Sequence, residues 1–154
     1  MVEQLPSTDF GIVLALAYQR LVDELHAELA RHGIRDIRPS YGYVLRTVEQ
    51  GALNQRELAD CLGVTEQAIG KLVGEMVRRK FLRRTVDPND GRARKLVLGA
   101  RGEEVLKHAR RFHARFEAAL VDELGSAVTT TRTLLAHIIA RGDGDARPVR
   151  LRLV

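Results

Sequence analysis

Residues 54–95 have the sequence NQRELADCLGVTEQAIGKLVGEMVRRKFLRRTVDPNDGRARK, and this stretch decides the fold. Asn54 and Glu57 have the spacing of a capping box, which predicts the start of a short helix that ends at Gly63. Gly63 permits a tight turn, and Thr65 provides the N-cap of the next helix. The apolar residues beneath the two helices are Leu58, Leu62, Val64, Ile69 and Leu72. The sequence therefore predicts a helix-turn-helix.

The second helix of this pair has two different faces at about 100° per residue. Its inner face carries apolar residues, namely Ile69, Leu72, Val73 and Met76. Its outer face carries Gln67, Lys71, Gly74 and Arg78. Glutamine pairs with adenine and lysine donates to guanine, so this face is typical of a helix that contacts the DNA major groove. An ordinary solvated face is the alternative, but Gly70 and Gly74 argue against it. Each costs about 1 kcal/mol relative to alanine inside a helix, and a missing Cβ lets a phosphate or base edge approach.

A β-hairpin is predicted after the second helix. Residues 82–86 and 95–98 are rich in apolar or β-branched side chains, and the turn sequence DPNDGRAR separates them. Arg92 and Arg94 are two residues apart, so they project to the same side of an extended strand. Arginine at such a tip suits a narrow minor groove, and Asp90 is placed to orient Arg92. A surface salt bridge without a role in binding is the alternative.

Long amphipathic helices flank this segment. Apolar spacing predicts one helix over residues 10–31, one after Pro39, one that ends near Gly125 and a last one before Arg141. The first and last have more apolar surface than a small core covers, which predicts a twofold homodimer; packing on their own domain is the alternative. The predicted fold is mainly α with a small β wing (α+β), a winged helix-turn-helix with N- and C-terminal dimerisation helices.

The predicted domain organisation follows from these elements. One domain spans residues 8–141, with dimerisation helices in 8–33 and 100–141 and the winged helix-turn-helix in 38–99. Residues 142–154 form a basic C-terminal tail.

The composition and the charge distribution of the chain indicate the class of partner that it binds. The chain has 154 residues and a net charge of +5, whereas residues 78–95 alone hold eight basic and two acidic residues. Such clustering is typical of a polyanion partner. With no apolar run long enough to span a bilayer and no secretory leader, we expect a cytoplasmic protein without a membrane partner. The single cysteine, Cys61, excludes an internal disulfide and is expected to be buried as a small apolar residue.

Motifs of catalysis and metal binding do not appear in the sequence. The five histidines form no HExxH pair, and Gly70-Lys71 lacks the upstream glycine of a P-loop. The acidic pair Asp143 and Asp145 is too short a segment for a calcium loop. We therefore expect no catalytic residues, no metal site, no cofactor and no enzymatic activity.

The run LADCLGVTEQAIGKLVGEMVRRKFLRRTVDPNDGRARKLVLGARG, residues 58–102, resembles the core of the MarR family of bacterial transcription regulators. The family pattern Asp-Pro-x-Asp with following arginines is matched by Asp87, Pro88, Asp90, Arg92 and Arg94. Helix order extends the likeness to about residues 8–141. Two positions depart from the pattern: Gly91 stands where arginine is common, and Gly99 replaces the usual capping threonine.

The resemblance implies a homodimer, in many members a repressor, on a pseudo-palindromic operator in double-stranded DNA. Thr65, Gln67 and Lys71 would supply major-groove contacts, with close approach at Gly70. Arg78 would contact a phosphate, and Asp90, Arg92 and Arg94 would form the wing contact. The alternative function is a winged-helix module that binds proteins without sequence-specific DNA binding.

The resemblance also implies a small aromatic or anionic effector in a cleft beside the dimerisation helices. The candidate residues are His26, Tyr41, Tyr43 and Arg46. Packing is the alternative role for the Tyr-Gly-Tyr pair. The family's oxidant-sensing cysteine lies on the first helix, so that role does not transfer to Cys61.

Overall fold

The computed structural model describes residues 9–51, 53–86 and 94–141. The elements in chain order are α1 (Phe10–Arg31), α2 (Pro39–Glu49), α3 (Gln55–Leu62), α4 (Glu66–Arg78), β1 (Leu82–Val86), β2 (Arg94–Leu98), α5 (Ala100–Leu124) and α6 (Ala127–Ala140). This order confirms the predicted mainly α fold with a small β wing. The chain falls into two compact units that divide between Pro39 and Ser40.

The first unit contains α1. The Asp9 carboxylate accepts a hydrogen bond from the Gly11 backbone N–H at 2.8 Å, which caps the helix start. The helix ends before Gly33, whose φ of +80° suits a residue without a side chain. Several large apolar side chains of α1 are about half exposed, namely Phe10, Ile12, Leu16 and Tyr18.

In the second unit, α3 and α4 form the predicted helix-turn-helix. Asn54 and Glu57 make both hydrogen bonds of a capping box, with the Asn54 side chain accepting at 2.9 Å and the Glu57 carboxylate accepting at 2.8 Å. Gly63 makes the turn with φ +64°, and Thr65 caps α4 by accepting from the Ala68 N–H at 3.2 Å. Local sequence signals therefore fix both helix starts and the turn between them.

The wing is a two-stranded antiparallel sheet. Leu82 pairs with Leu98 at its base, and Val86 pairs with Arg94 at the last described register position. The Leu96 N–H donates to the Leu53 carbonyl at 2.7 Å, which ties β2 to the segment before α3. The base of the wing is therefore hydrogen-bonded to the segment that leads into the helix-turn-helix, in addition to the bonds within the hairpin.

The α4–β1 connection packs directly on the start of α5. Lys80 is the one residue other than glycine with a positive φ in the described ranges, at +63°. Its carbonyl oxygen would lie 2.4 Å from a Cβ at Gly99, which gives the glycine at this N-cap a packing reason that the sequence did not indicate. A Cβ at Gly102 would lie 2.2 Å from the Phe81 carbonyl oxygen. These two glycines allow backbone-to-backbone contact.

Helices α5 and α6 differ in burial. Val105, Leu106, Ala109 and Phe112 in the first half of α5 are buried. The second half of α5 and the whole of α6 contain no buried residue, and Leu124 and Ile139 are more than half exposed. Among the described helices, not one combines the length and apolar character needed to cross a bilayer.

Candidate nucleic-acid interface

The two faces of α4 are those that the sequence predicts. Ile69, Val73 and Met76 are fully buried, whereas Gln67 and Lys71 are exposed in the first turns of the helix. The exposed Arg78 ends the same face. Burial of the inner side chains fixes the rotation of α4, so its polar side chains must face solvent. The arrangement presents hydrogen-bond donors along an accessible helix surface.

Gly70 lies beside a side chain of α3. A Cβ at this position would lie 2.9 Å from the Gln55 Nε2 atom, so the Gln55 side chain of α3 occupies the space beside it. The same amide donates to the Glu66 carbonyl at 3.4 Å. Gly70 therefore has a neighbouring side chain on α3, and the predicted close approach of DNA at this glycine stays a prediction. At Gly74 the nearest atom to an added Cβ is the Arg78 Nη1 at 3.7 Å, an ordinary contact.

The wing adds positive charge beside α4. Arg83 and Arg84 on β1 and Arg94 at the start of β2 are exposed. Arg94 was predicted as a wing contact, whereas Arg83 and Arg84 were counted only in the basic cluster. Residues 87–93, which include the predicted Asp90 and Arg92, lie outside the described residues.

One arginine of the basic cluster is turned inward. The Arg79 Nη1 donates to the Tyr41 hydroxyl and to the Glu75 Oε1, at 2.9 Å each, and the Tyr41 hydroxyl donates to the same Glu75 oxygen at 2.8 Å. Tyr41 is fully buried. Burial and the hydrogen bond to Glu75 raise the pKa of the Tyr41 phenol, so it stays a donor at neutral pH. Sequence reasoning did not find this network, although Glu75 and Arg79 have the i, i+4 spacing of a helical ion pair.

A sequence match to a known family covers this region. The sequence model described as MarR family matches residues 35–93, which include α2, the helix-turn-helix and β1. Over these 59 residues the chain is similar to the MarR family of transcription regulators. This similarity supports a DNA-binding transcription regulator. A search among curated proteins gives no match.

Solved structures of MarR-type regulators share the fold. The transcriptional regulator Tm0710 from Thermotoga maritima is 26% identical with a TM-score of 0.59, and the match covers 88% of this chain and 97% of that one. The transcriptional repressor CouR, bound to a 23-mer DNA duplex, is 24% identical with a TM-score of 0.66, over 89% and 96% of the two chains. A mutant of S. aureus MepR bound to an oligodeoxyribonucleotide is 19% identical with a TM-score of 0.58, over 88% and 99%.

The four effector candidates have different surroundings. For Tyr41 the structure favours the packing alternative, because its ring is in the core and its hydroxyl is bonded to Glu75. Tyr43 is half-buried, and its carbonyl accepts from the Thr47 hydroxyl at 2.9 Å. Arg46 is exposed. His26 belongs to the first unit, where burial lowers its pKa.

A second histidine lies near Arg46. Burial lowers the pKa of His113 on α5, and the Arg46 guanidinium lowers it further by charge repulsion. An ion pair between Glu49 and Arg110 joins the same two helices. His113 was not among the predicted effector residues, because its neighbourhood depends on contact between distant segments.

Cys61 is exposed, which corrects the expectation that it is buried. Leu58, Ala59 and Leu62 are the buried residues of α3, and position 61 lies about 105° around the helix from the centre of that face. Within residues 9–51, 53–86 and 94–141, no group of three or more His, Cys, Asp or Glu side chains is placed to hold a metal ion. Asp143 and Asp145 lie outside these ranges.

Proposed function

We propose that this regulator binds a pseudo-palindromic operator as a homodimer and acts as a repressor. One observation carries the proposal: α4 buries Ile69, Val73 and Met76 and exposes Gln67 and Lys71 beside a basic wing. A helix held in this rotation can enter a major groove with its donors toward the base edges.

Each predicted DNA contact has a role in the proposal. Thr65, Gln67 and Lys71 contact bases or backbone in the major groove, and Arg78 contacts a phosphate. Gly70 lets a phosphate or a base edge approach α4 closely, because it carries no Cβ. The wing contact uses Arg94 together with Asp90 and Arg92, which the sequence places at its tip.

Exposed apolar surface supports the homodimer. Apolar side chains of α1 are about half exposed, and α6 has no buried residue. Association between copies removes such surface from water, which is favourable at about 25 cal/mol per Å². A twofold dimer presents two copies of α4, and their spacing of about 34 Å matches successive major grooves. In this arrangement residues 8–33 and 100–141 form the interface, and residues 38–99 bind DNA.

Release by an effector completes the proposal. A small aromatic or anionic molecule that binds one dimer conformation more tightly would change the spacing of the two α4 helices. Arg46 provides exposed positive charge for an anion, and Tyr43 and His26 are the aromatic candidates. Operator affinity would fall because both helices could no longer contact their grooves together.

A salt series tests DNA binding directly. The affinity of the purified dimer is measured for DNA upstream of its own gene and for a scrambled duplex of the same composition. We expect preference for the upstream DNA, and a steep linear fall of log affinity with log salt concentration because phosphate contacts release counterions. If the folded dimer binds neither duplex at low salt, the protein-binding module becomes the better explanation.

A further inference from the structure

The C-terminal half of α4 is attached to α2 by the network of Tyr41, Glu75 and Arg79. The three polar groups lie within 2.9 Å of one another. Glu75 lies in the last turn of α4, and Arg79 is the C-cap residue that follows the helix. The side chains of Glu75 and Arg79 are only about one-quarter exposed, so water competes weakly for these bonds. The Tyr41 ring also packs edge-to-face on Phe81, with ring centroids 5.1 Å apart.

The same end of α4 is attached to α5. The Arg101 guanidinium lies 4.4 Å from the centre of the Phe81 ring and donates to the Arg79 carbonyl at 3.2 Å. The Arg101 backbone N–H donates to the Lys80 carbonyl at 3.2 Å. Side chains from α2 and α5 thus hold the end of α4 from two different elements.

We propose that Tyr41 and Glu75 are positioning residues that set the tilt of α4 for base recognition, acting through Arg79. The inference rests on the proposed operator binding. Arg79 differs from its neighbour Arg78, because Arg78 is exposed while Arg79 bonds inside the protein. Arg78 is therefore available to contact DNA, whereas Arg79 holds the helix that contacts DNA.

A small tilt has a large effect on base contacts and a small one on phosphate contacts. Gln67 is eight residues from Glu75, so the two are about 12 Å apart along the helix axis. A tilt of about 5° at Glu75 then moves Gln67 by about 1 Å, which exceeds the roughly 0.5 Å range of good hydrogen-bond lengths. Charge interactions with phosphates change little over that distance. Loss of the network should therefore reduce sequence preference rather than overall DNA binding.

The test uses a duplex that the wild-type full chain selects from a pool of random sequences, together with a scrambled form of that duplex. Tyr41→Phe removes one hydroxyl, and Glu75→Gln removes the charge from a partly exposed side chain. We expect each variant to lower the ratio of selected to scrambled affinity about tenfold. Affinity for the scrambled duplex and the salt slope should stay at wild-type values. The affinity ratio of the double variant should fall no further than that of the more affected single variant, because the two residues act through one network.

Two further variants serve as comparisons. Glu49→Gln breaks the ion pair with Arg110 between α2 and α5 but touches no residue of α4, so its affinity ratio should equal that of wild type. Arg78→Ala should weaken binding to both duplexes alike and reduce the salt slope by about one. Unfolding midpoints of all variants are measured in parallel.

The outcomes are separable. A lower unfolding midpoint with an unchanged affinity ratio in both Tyr41→Phe and Glu75→Gln would show that the network only stabilises the fold, and would overturn the inference. A reduced salt slope in these variants would contradict it too, because it would mean a lost phosphate contact. If the wild-type chain selects no sequence, the proposed operator binding itself fails, and the inference fails with it.

Discussion

Gly102→Ala is expected to lower the free energy of unfolding by about 2–3 kcal/mol, at the upper end of the range for overpacked sites. The added Cβ would lie 2.2 Å from the Phe81 carbonyl oxygen and 2.9 Å from the Leu45 Cδ2 atom. That carbonyl already accepts from the Gly99 N–H at 2.9 Å, so it cannot move without loss of a hydrogen bond. The helix preference of alanine, about 1 kcal/mol, is too small to offset the clash.

Gly42→Ala is the matched control for this substitution. Gly42 is also helical, on α2, but no atom lies within 4 Å of an added Cβ. Only the higher helix propensity of alanine acts here, so we expect the free energy of unfolding to rise by about 1 kcal/mol. Urea unfolding of both variants measures the difference. Equal stability of the two variants would contradict the close contact between α5 and the α4–β1 connection.

Lys71→Glu is expected to lower affinity for the selected DNA duplex by about 100-fold. Loss of a base contact costs about 1–3 kcal/mol, and the new carboxylate would repel the phosphates on either side of the groove. Lys71 is exposed on α4, so the substitution should leave the unfolding midpoint within experimental error of wild type. Fluorescence anisotropy with labelled duplex measures the affinity.

Lys107→Glu controls for the change in net charge. Lys107 is an exposed residue of α5, and its replacement alters the charge of the chain by the same amount. We expect its effect on affinity to stay within about threefold, since exposed charges beyond about 10 Å are screened at 0.1 M salt. Equal losses in the two variants would mean that α4 binds DNA through general charge and not through contact at Lys71.

Local signals made the helix-turn-helix predictable from the sequence. The Asn54–Glu57 capping box, the turn at Gly63 and the Thr65 cap each depend on residues at most a few positions apart. The inner face of α4 was predictable for the same reason, because helical periodicity places Ile69, Val73 and Met76 together.

Contacts between distant segments were not predictable. Tyr41 bonds to Glu75 across 34 positions, so its place in the core could not be inferred from a Tyr-Gly-Tyr pattern. Gln55 of α3 lies beside Gly70 of α4, a contact that the periodicity of α4 alone does not indicate. Exposure of Cys61 could have been inferred, because Leu58, Ala59 and Leu62 define the buried face of α3.

The measurement that tests the central claim most directly is methylation protection of guanine N7 atoms, which lie in the major groove. The dimer is bound to the duplex that it selects, and protected guanines are mapped on both strands. We predict two protected clusters related by twofold symmetry, about 10 base pairs apart from centre to centre, and loss of both in Lys71→Glu. A single cluster, or protection that Lys71→Glu leaves intact, would contradict the account of two α4 helices in successive major grooves.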